Sequence, residues 1–207
     1  MKRRGLFALA AAAVALLVVP KKARAAKKIR PPGALPPGRF ETACIGCYRC
    51  AEVCPPRCIV FGPTLGLDAP TPFLDLKERA CTLCMKCTQV CPTDALRPIA
   101  AEPAVVAKEV RMGAPVLDRK KCLPWNATGS CSLCFQVCPY PDEAVELVGI
   151  QAGPLFHAEA CVGCGLCEEA CPDAARAIHI APEGTSGKPS DDSYRSKPSD
   201  GSSGGRK

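Results

Sequence analysis

The chain has 207 residues, of which 17 are cysteines and 22 are prolines, while only 5% are aromatic. The low aromatic content and the many prolines do not favour a fold held mainly by a large hydrophobic core. The net charge is +7, but residues 1–25 hold six positive charges and no acidic residue, so the rest of the chain carries only +1. The charge therefore does not indicate a nucleic-acid-binding protein.

Residues 1–25 have the order of an export signal. Lys2, Arg3 and Arg4 precede an apolar stretch of 14 residues, Leu6–Val19, and a small-residue site follows at Ala23–Ala25. A helix needs roughly 20 apolar residues to span a bilayer, so we expect cleavage after Ala25 and no permanent anchor. The adjacent arginines favour a twin-arginine signal.

Residues 26–38 are basic and rich in proline, including Lys27, Lys28, Pro31 and Pro32. This composition predicts an extended, solvated tether. Contact between its positive charges and anionic lipid or an acidic partner stays open as an alternative.

Sixteen of the cysteines form four runs with the pattern C-x-x-C-x-x-C-x-x-x-C-P, expanded once between the first two cysteines of the third run. In this ferredoxin run, three closely spaced thiolates hold one [4Fe-4S] cluster and the fourth binds the other cluster of a pair. The sequence therefore predicts four [4Fe-4S] clusters. The predicted ligands are Cys44, Cys47, Cys50, Cys54, Cys81, Cys84, Cys87, Cys91, Cys122, Cys131, Cys134, Cys138, Cys161, Cys164, Cys167 and Cys171.

Two pairings of the runs are open. If neighbours pair, Cys91 and Cys54 are exchanged between the first and second runs, and Cys171 and Cys138 between the third and fourth. The alternative pairs the first run with the fourth and the second with the third, although short linkers favour neighbours. Either way each cluster has four cysteine ligands, which leaves no iron open to substrate and favours electron transfer over catalysis.

The runs begin at residues 44, 81, 122 and 161, so the middle of the chain is a fourfold repeat. Short apolar segments on both sides of each run predict strands. These segments are Arg39–Phe40, Pro72–Leu74, Pro115–Leu117 and Pro154–Phe156 before the runs, and Cys58–Phe61, Ala95–Leu96, Ala144–Val148 and Ala177–Ile180 after them. The pattern predicts a small α+β fold stabilised by its clusters, with two ferredoxin-like 2[4Fe-4S] domains in tandem over residues 39–100 and 101–181. The polar, repetitive composition of residues 182–207 predicts a disordered tail.

The export signal and the cysteines support each other. Cluster assembly needs reduced thiols and cytosolic machinery, whereas bare thiols exported unfolded into an oxidising compartment would form disulfides. We therefore expect a periplasmic protein that is exported folded. A plain secretory signal with a disulfide framework is the competing interpretation, but such a framework does not require this spacing or the prolines that follow each run.

Cys58 is the cysteine outside the runs. It lies four residues after Cys54, where the second and fourth runs have Ala95 and Ala175. This position favours a small apolar filler, with ligand exchange or redox sensing as the alternative.

Three other residues invite interpretation. Trp125 lies in the expanded loop of the third run, where it either shields a cluster, forms a docking surface or packs over its own loop. His157 and His179 fall in predicted strand segments, and we expect both to be structural.

Three features together resemble the MauM/NapG-type ferredoxin family over residues 1 to about 181. They are the twin-arginine start, the run Cys44-Ile45-Gly46-Cys47-Tyr48-Arg49-Cys50, and the expanded unit that begins Cys122-Leu123-Pro124-Trp125 and ends Ser130-Cys131. The resemblance implies a periplasmic four-cluster protein that relays electrons from the quinol side of the membrane to a periplasmic oxidoreductase, such as nitrate reductase, or accompanies methylamine dehydrogenase. The implied partners are a membrane quinol-oxidising ferredoxin-type protein and a periplasmic reductase or dehydrogenase, and peripheral membrane association stays open.

Two alternatives to a relay remain: an accessory factor for maturation of a periplasmic redox enzyme, and an iron–sulfur subunit of a molybdenum oxidoreductase complex. The sequence has no nucleophile motif, phosphate-binding loop or flavin motif. We therefore expect no enzyme activity of its own.

Overall fold

The computed structural model describes residues 28–62, 70–172 and 176–182. The predicted export signal and all of the predicted tail except Pro182 lie outside these residues. The described part has six short helices and six short strands, and none of these helices is long and apolar enough to cross a membrane. The helices are α1 (Arg39–Ala43), α2 (Arg49–Glu52), α3 (Lys86–Gln89), α4 (Pro103–Glu109), α5 (Leu133–Gln136) and α6 (Leu166–Glu169). The strands are β1 (Ile59–Phe61), β2 (Pro72–Leu74), β3 (Gly113–Leu117), β4 (Val145–Val148), β5 (Gly153–Phe156) and β6 (Ile178–Pro182).

The first half of the structure, residues 28–100, is built around a hairpin. Strands β1 and β2 pair antiparallel, with Val60 opposite Phe73. A second antiparallel contact joins Ala34 to Leu96, so the two ends of this half lie side by side.

The second half, residues 101–182, repeats this arrangement with longer strands. Strands β4 and β5 form the inner hairpin, with Leu147 opposite Pro154. Strands β3 and β6 form the outer pair, with Val116 opposite His179. Because β3 precedes the third cysteine run and β6 follows the fourth, this pair closes the second half around both runs.

One predicted strand segment, Arg39–Phe40, is wrong, because these residues begin helix α1. The Phe40 side chain is fully buried, and the Arg30 guanidinium lies 4.7 Å from the centre of its ring. The strand partner of Leu96 is Ala34 instead, five residues nearer the start of the chain.

The prediction of a solvated tether over residues 26–38 is also wrong for the part that the structure describes. Pro31 and Pro32 are buried. The Leu35 amide donates to the Ala95 carbonyl at 3.0 Å, and the Arg97 amide donates to the Gly33 carbonyl at 2.8 Å. Proline suits such burial because it has an apolar ring and no N–H group that needs a partner.

Two apolar cores hold the two halves. The first contains Phe40, Met85 and Leu96, together with Val162 and Cys164 from the fourth cysteine run. The second contains Leu117, Val145, Phe156 and Ile178. The first core therefore extends beyond its own half of the chain, and it also includes Val106 of the connecting helix α4, which the sequence analysis did not predict.

Candidate metal centres

Four cavities of similar size are lined by the predicted ligand cysteines. They contain about 340, 300, 400 and 370 Å³ of empty space, part of it open to solvent. We number them by the run that supplies three of their cysteines. Site I has Cys44, Cys47, Cys50 and Cys91; site II has Cys81, Cys84, Cys87 and Cys54; site III has Cys122, Cys131, Cys134 and Cys171; site IV has Cys161, Cys164, Cys167 and Cys138.

The structure brings the runs together as neighbours. In each site the fourth cysteine comes from the adjacent run, so Cys91 lies at site I and Cys54 at site II. The exchange is repeated with Cys171 at site III and Cys138 at site IV. Of the two pairings that the sequence leaves open, the geometry corresponds to the neighbour pairing.

The donors and the space fit a polynuclear cluster better than a single ion. Among the described residues, no three His, Cys, Asp or Glu side chains converge closely enough to hold one metal ion. Instead, the thiols stand on the walls of cavities whose lining is largely apolar, as at site III, where Leu133 and Ile178 accompany the cysteines. Thiolates spread around a largely apolar cavity are the donor set that iron–sulfur clusters use.

The loops between cysteines turn sharply so that their thiols face inward. In the fourth run, Gly163 has a φ of +74° and Gly165 a φ of +84°. A side chain at Gly163 would place its Cβ 2.5 Å from the backbone of Gly113, so the loop passes directly against strand β3. The third cysteine then sits in a one-turn helix, as Cys167 does in α6.

Backbone amides point at several of the sulfur atoms. The amides of Leu96, Gly163 and Ala177 donate to Cys91, Cys161 and Cys171, each at 3.4 Å. Burial alone would raise the pKa of Cys91, but hydrogen bonds from the Leu96 and Thr93 amides lower it overall. Such N–H groups stabilise the thiolate form and, in a loaded site, set the reduction potential.

Burial raises the pKa of most thiols in these sites. The pKa rises to about 11 for Cys50 and Cys161, and to about 12 for Cys87, Cys134 and Cys164. Thiols with such pKa values are protonated at neutral pH. Iron must therefore displace a proton from each of them when a cluster is inserted.

Cys58 lies within site II, which the sequence did not predict. Its side chain is buried, lines the cavity, and has its Sγ 3.7 Å from the Sγ of Cys54. A hydrogen bond with Cys81, followed by burial, raises the pKa of Cys58 far above its usual range, and the same hydrogen bond lowers the pKa of Cys81. Cys58 is therefore a protonated thiol in contact with two predicted ligands, Cys54 and Cys81. The filler interpretation accounts for its burial but not for these contacts.

Trp125 packs over its loop and the neighbouring strand. Its indole Nε1 donates to the Pro154 carbonyl at 3.0 Å, and the Arg119 guanidinium lies 4.1 Å from the ring centre. A Cβ on Gly153 would lie 2.7 Å from the indole ring, so the ring covers the start of β5. Of the three interpretations of Trp125, these contacts favour packing.

The two histidines have no ligand geometry in the structure. His157 is buried, with its Nε2 3.2 Å from an oxygen of Glu146, and its carbonyl accepts from the Cys161 amide. His179 is exposed on strand β6. Both positions fit the structural role that the sequence predicts.

Three protein-family models match this chain. Residues 43–95 match a 4Fe-4S dicluster domain, residues 80–141 a 4Fe-4S double cluster binding domain, and residues 154–176 a 4Fe-4S binding domain. The second match joins the second and third cysteine runs, whereas the cavities join the second run to the first. The first match covers the first and second runs, which the cavities also join.

Relatives cover most of the chain. It is 35% identical over 197 residues to the methylamine utilization ferredoxin-type protein MauM of Methylorubrum extorquens, a match that covers 88% of this chain and 85% of the relative. It is 34% identical to the ferredoxin-type protein NapG of Escherichia coli, with 84% and 79% covered, and 36% identical to MauM of Methylophilus methylotrophus, with 78% and 74% covered. The cysteine sites and these similarities agree: the chain is a ferredoxin-type electron-transfer protein that belongs to the MauM/NapG-type ferredoxin family.

Proposed function

We propose that this protein is a periplasmic electron relay that holds four [4Fe-4S] clusters, one in each of sites I to IV. It passes electrons from the quinol side of the membrane to a periplasmic oxidoreductase, of the nitrate reductase type or associated with methylamine dehydrogenase. The observation that carries the proposal is the set of four thiols around each of the four cavities. With all four positions of a cluster taken by protein thiolates, no iron is left open for a substrate.

A bound cluster would supply one-electron storage, and the protein would supply its position and potential. The thiols hold each cluster at a fixed place, and loop amides such as those of Leu96 and Gly163 donate to the ligand sulfurs. The largely apolar lining of each cavity would also tune the potential. These are the properties of a carrier whose clusters change charge without changing ligands.

The periplasmic location is supported by the sequence of residues 1–25. The Arg3-Arg4 pair fits a route for folded proteins, and a cluster protein needs such a route because its thiols must be loaded before export. Replacing both arginines, as in Arg3→Lys/Arg4→Lys, should keep the loaded protein in the cytoplasm. The control Lys2→Arg preserves the pair and should be exported normally; cell fractionation with iron analysis reads both outcomes.

The relay is tested on protein purified without oxygen. We expect about 16 iron and 16 sulfide per chain, and four clusters that are reduced and reoxidised reversibly in a potentiometric titration followed by EPR. Fewer than three redox-active clusters would contradict the relay. If alanine at a cluster ligand instead impaired assembly of the partner enzyme even when an artificial electron donor was supplied, the accessory-factor alternative would replace it.

A further inference from the structure

The two halves of the protein meet at sites II and IV. The amide of Cys81, a predicted ligand at site II, donates to the carbonyl of Cys164, a predicted ligand at site IV, at 2.8 Å. This hydrogen bond connects the backbones of two ligand cysteines that belong to different halves of the chain. It brings the loop of the second run against the loop of the fourth.

Further contacts surround this hydrogen bond. The Glu169 carboxylate accepts from the Ala80 amide at 3.2 Å, and the Arg176 guanidinium donates to the Lys77 carbonyl. A Cβ on Gly165 would lie 3.0 Å from the Cβ of Leu76. The segment before Cys81 is thus held against the fourth run and the residues that follow it by polar and apolar contacts.

The Cys81–Cys164 hydrogen bond and the contacts around it therefore make sites II and IV neighbours across the boundary between the halves.

Within each half, the two sites are neighbours because each takes its fourth cysteine from the run of the other. Sites I and II exchange Cys91 and Cys54, and helices α2 and α3, which carry Cys50 and Cys87, pack together. Cys134 lines the cavity of site IV as well as that of site III. The spatial order of the four sites is thus I, II, IV, III, which differs from their order in the sequence.

Exposed apolar side chains mark the two ends of this order. Ile45 and Tyr48 flank Cys47 at site I and are 60% and 46% exposed. Leu123 and Leu133 line site III and are 37% and 39% exposed. Among the described residues, these four and Ile150 are the large apolar side chains that are exposed, so exposed apolar side chains lie beside both outer sites.

We infer that electrons cross this protein in the order site I, site II, site IV, site III or the reverse, and that the Cys81–Cys164 backbone contact is the bridge between its halves. The inference rests on the proposed function. Each step moves one electron from a reduced cluster to its oxidised neighbour, and no bond is made or broken. A reduced redox protein supplies the electron at one outer site, and an oxidised redox protein accepts it at the other. Electron tunnelling weakens steeply with distance, so the bridging contact fixes the order.

The order is tested by EPR on the reduced holo-protein, where neighbouring reduced clusters couple magnetically. When the serine oxygen retains the cluster, Cys131→Ser alters the EPR signal of site III and Cys161→Ser alters that of site IV, so each signal can be assigned to its site. We expect the marked site IV to couple to two other clusters and the marked site III to one. A variant that loses its cluster also distinguishes the two orders. Without the cluster at site IV, the cluster at site III should be magnetically isolated. Without the cluster at site III, the cluster at site IV should remain coupled to that at site II. Coupling of site III to two clusters and of site IV to one would overturn the inference.

A variant at the junction avoids the ligands altogether. Glu169→Ala removes the carboxylate that holds the Ala80 amide, and we expect weaker coupling between sites II and IV with unchanged iron content. Glu52, two residues after Cys50, occupies the position in the first run that Glu169 occupies in the fourth, so Glu52→Ala is the matched control and should leave the coupling unchanged. Equal coupling in both variants and the unaltered protein would argue against the bridge.

Different results would overturn the proposed function and the order of electron transfer. If no cluster could be reduced, no EPR signal would appear and the relay itself would be overturned, together with any order. Reducible clusters with a different coupling pattern would overturn only the order. The two results are read from the same spectra.

Discussion

The cysteine loops hold residues in the left-handed region of backbone space, where glycine is normally preferred. In the first and fourth runs these positions include Gly46 and Gly163, but in the second run they are Leu83 and Met85, with φ values of +56° and +53°. Each non-glycine residue in this region costs roughly 1–3 kcal/mol unless its surroundings hold it there. The cluster that the loop encloses is the natural source of that stabilisation.

Gly163 is expected to be essential for a second reason, its contact with strand β3. In Gly163→Ala, the added Cβ meets both the positive φ and the Gly113 backbone at 2.5 Å, so we expect loss of the site IV cluster and a lower melting temperature. Gly149→Ala is the matched control, because Gly149 has the same φ of +74° but nothing within 4 Å of an added Cβ. Iron analysis and thermal unfolding compare the two. Equal losses would mean that backbone strain, and not the contact with β3, decides the outcome.

Cys58 should tune one cluster without binding it. In Cys58→Ala, iron content should be unchanged, because site II keeps four other cysteines. If its S–H group stabilises the reduced state by about 0.5 kcal/mol, the loss of that group lowers one midpoint potential by roughly 20 mV. A potentiometric EPR titration measures the shift. Loss of a quarter of the iron would show instead that Cys58 is a ligand.

The second run offers the reciprocal experiment. Ala95 lies four residues after Cys91, as Cys58 lies four after Cys54, and it lines site I. Ala95→Cys should therefore raise a different midpoint potential by a similar amount. A shift of the same sign in both variants would contradict a hydrogen-bonding role for this position.

At the level of elements, the sequence predicted the strands well because their signals are local. The segments Pro72–Leu74 and Pro115–Leu117 both lie in strands, as do the apolar stretches around Val60 and Val145. Each is a short apolar run beside proline or the end of a cysteine run, so turn chemistry sets its ends. Helix α4 was missed because it follows no cysteine run and belongs to no repeat.

The packed segment before the first run could not be predicted from its composition. Lysines and prolines normally indicate a solvated chain, and nothing local indicates that Pro31 and Pro32 are buried or that Gly33 accepts from Arg97. These contacts join residues more than 60 positions apart. They depend on the folded first half, which supplies the strand edge at Leu96.

Phe40 tests whether this segment contributes to stability. It is fully buried beneath the Arg30 guanidinium, and Arg30 also pairs with Glu41 at 2.6 Å. Phe40→Ala should lower the free energy of unfolding of the holo-protein by about 3–5 kcal/mol. Ile150→Ala, at a fully exposed apolar residue, should change it by no more than about 0.5 kcal/mol. Thermal or denaturant unfolding compares the two; an effect of Phe40→Ala as small as that of Ile150→Ala would show that the packing of this segment does not contribute to stability.

At the scale of the whole molecule, cohesion depends on the metal sites. Cysteines such as Cys50, Cys87 and Cys134 are members of the two apolar cores, so each core is partly the wall of a cluster cavity. The other elements are short: the strands have three to five residues and the helices four to seven. If a cavity in so small a core is empty, the side chains that line it lose packing contacts, and the fold loses stability.

Removal of iron should therefore unfold the protein. We expect chelation under reducing conditions to abolish the circular dichroism of the native fold and to increase the hydrodynamic radius measured by gel filtration. Adding iron and sulfide back should restore both signals. A compact, folded protein after complete iron loss would contradict the view that the clusters stabilise the fold.

All sixteen cysteines that the sequence predicts as ligands line the four cavities, but the sequence could not say how the cavities are arranged. Both pairings of the runs use the same residues, so spacing alone could not decide between them. Nor could it place site II beside site IV, because that contact depends on the Cys81 and Cys164 backbones, which carry no sequence signal. The role of Cys58 was missed for a related reason: its position predicts burial, but only the fold shows which thiols surround it.

The exchange of the fourth cysteine has a consequence for how the protein is synthesised. When the ribosome has completed the third run, site III has three of its thiols, and the fourth, Cys171, is still to come. Strand β3 likewise waits for β6, whose residues Ile178–Pro182 are made more than 60 positions later. The second half can therefore be loaded only as a unit, near the end of translation. A chain shortened before the fourth run would lose two clusters, not one.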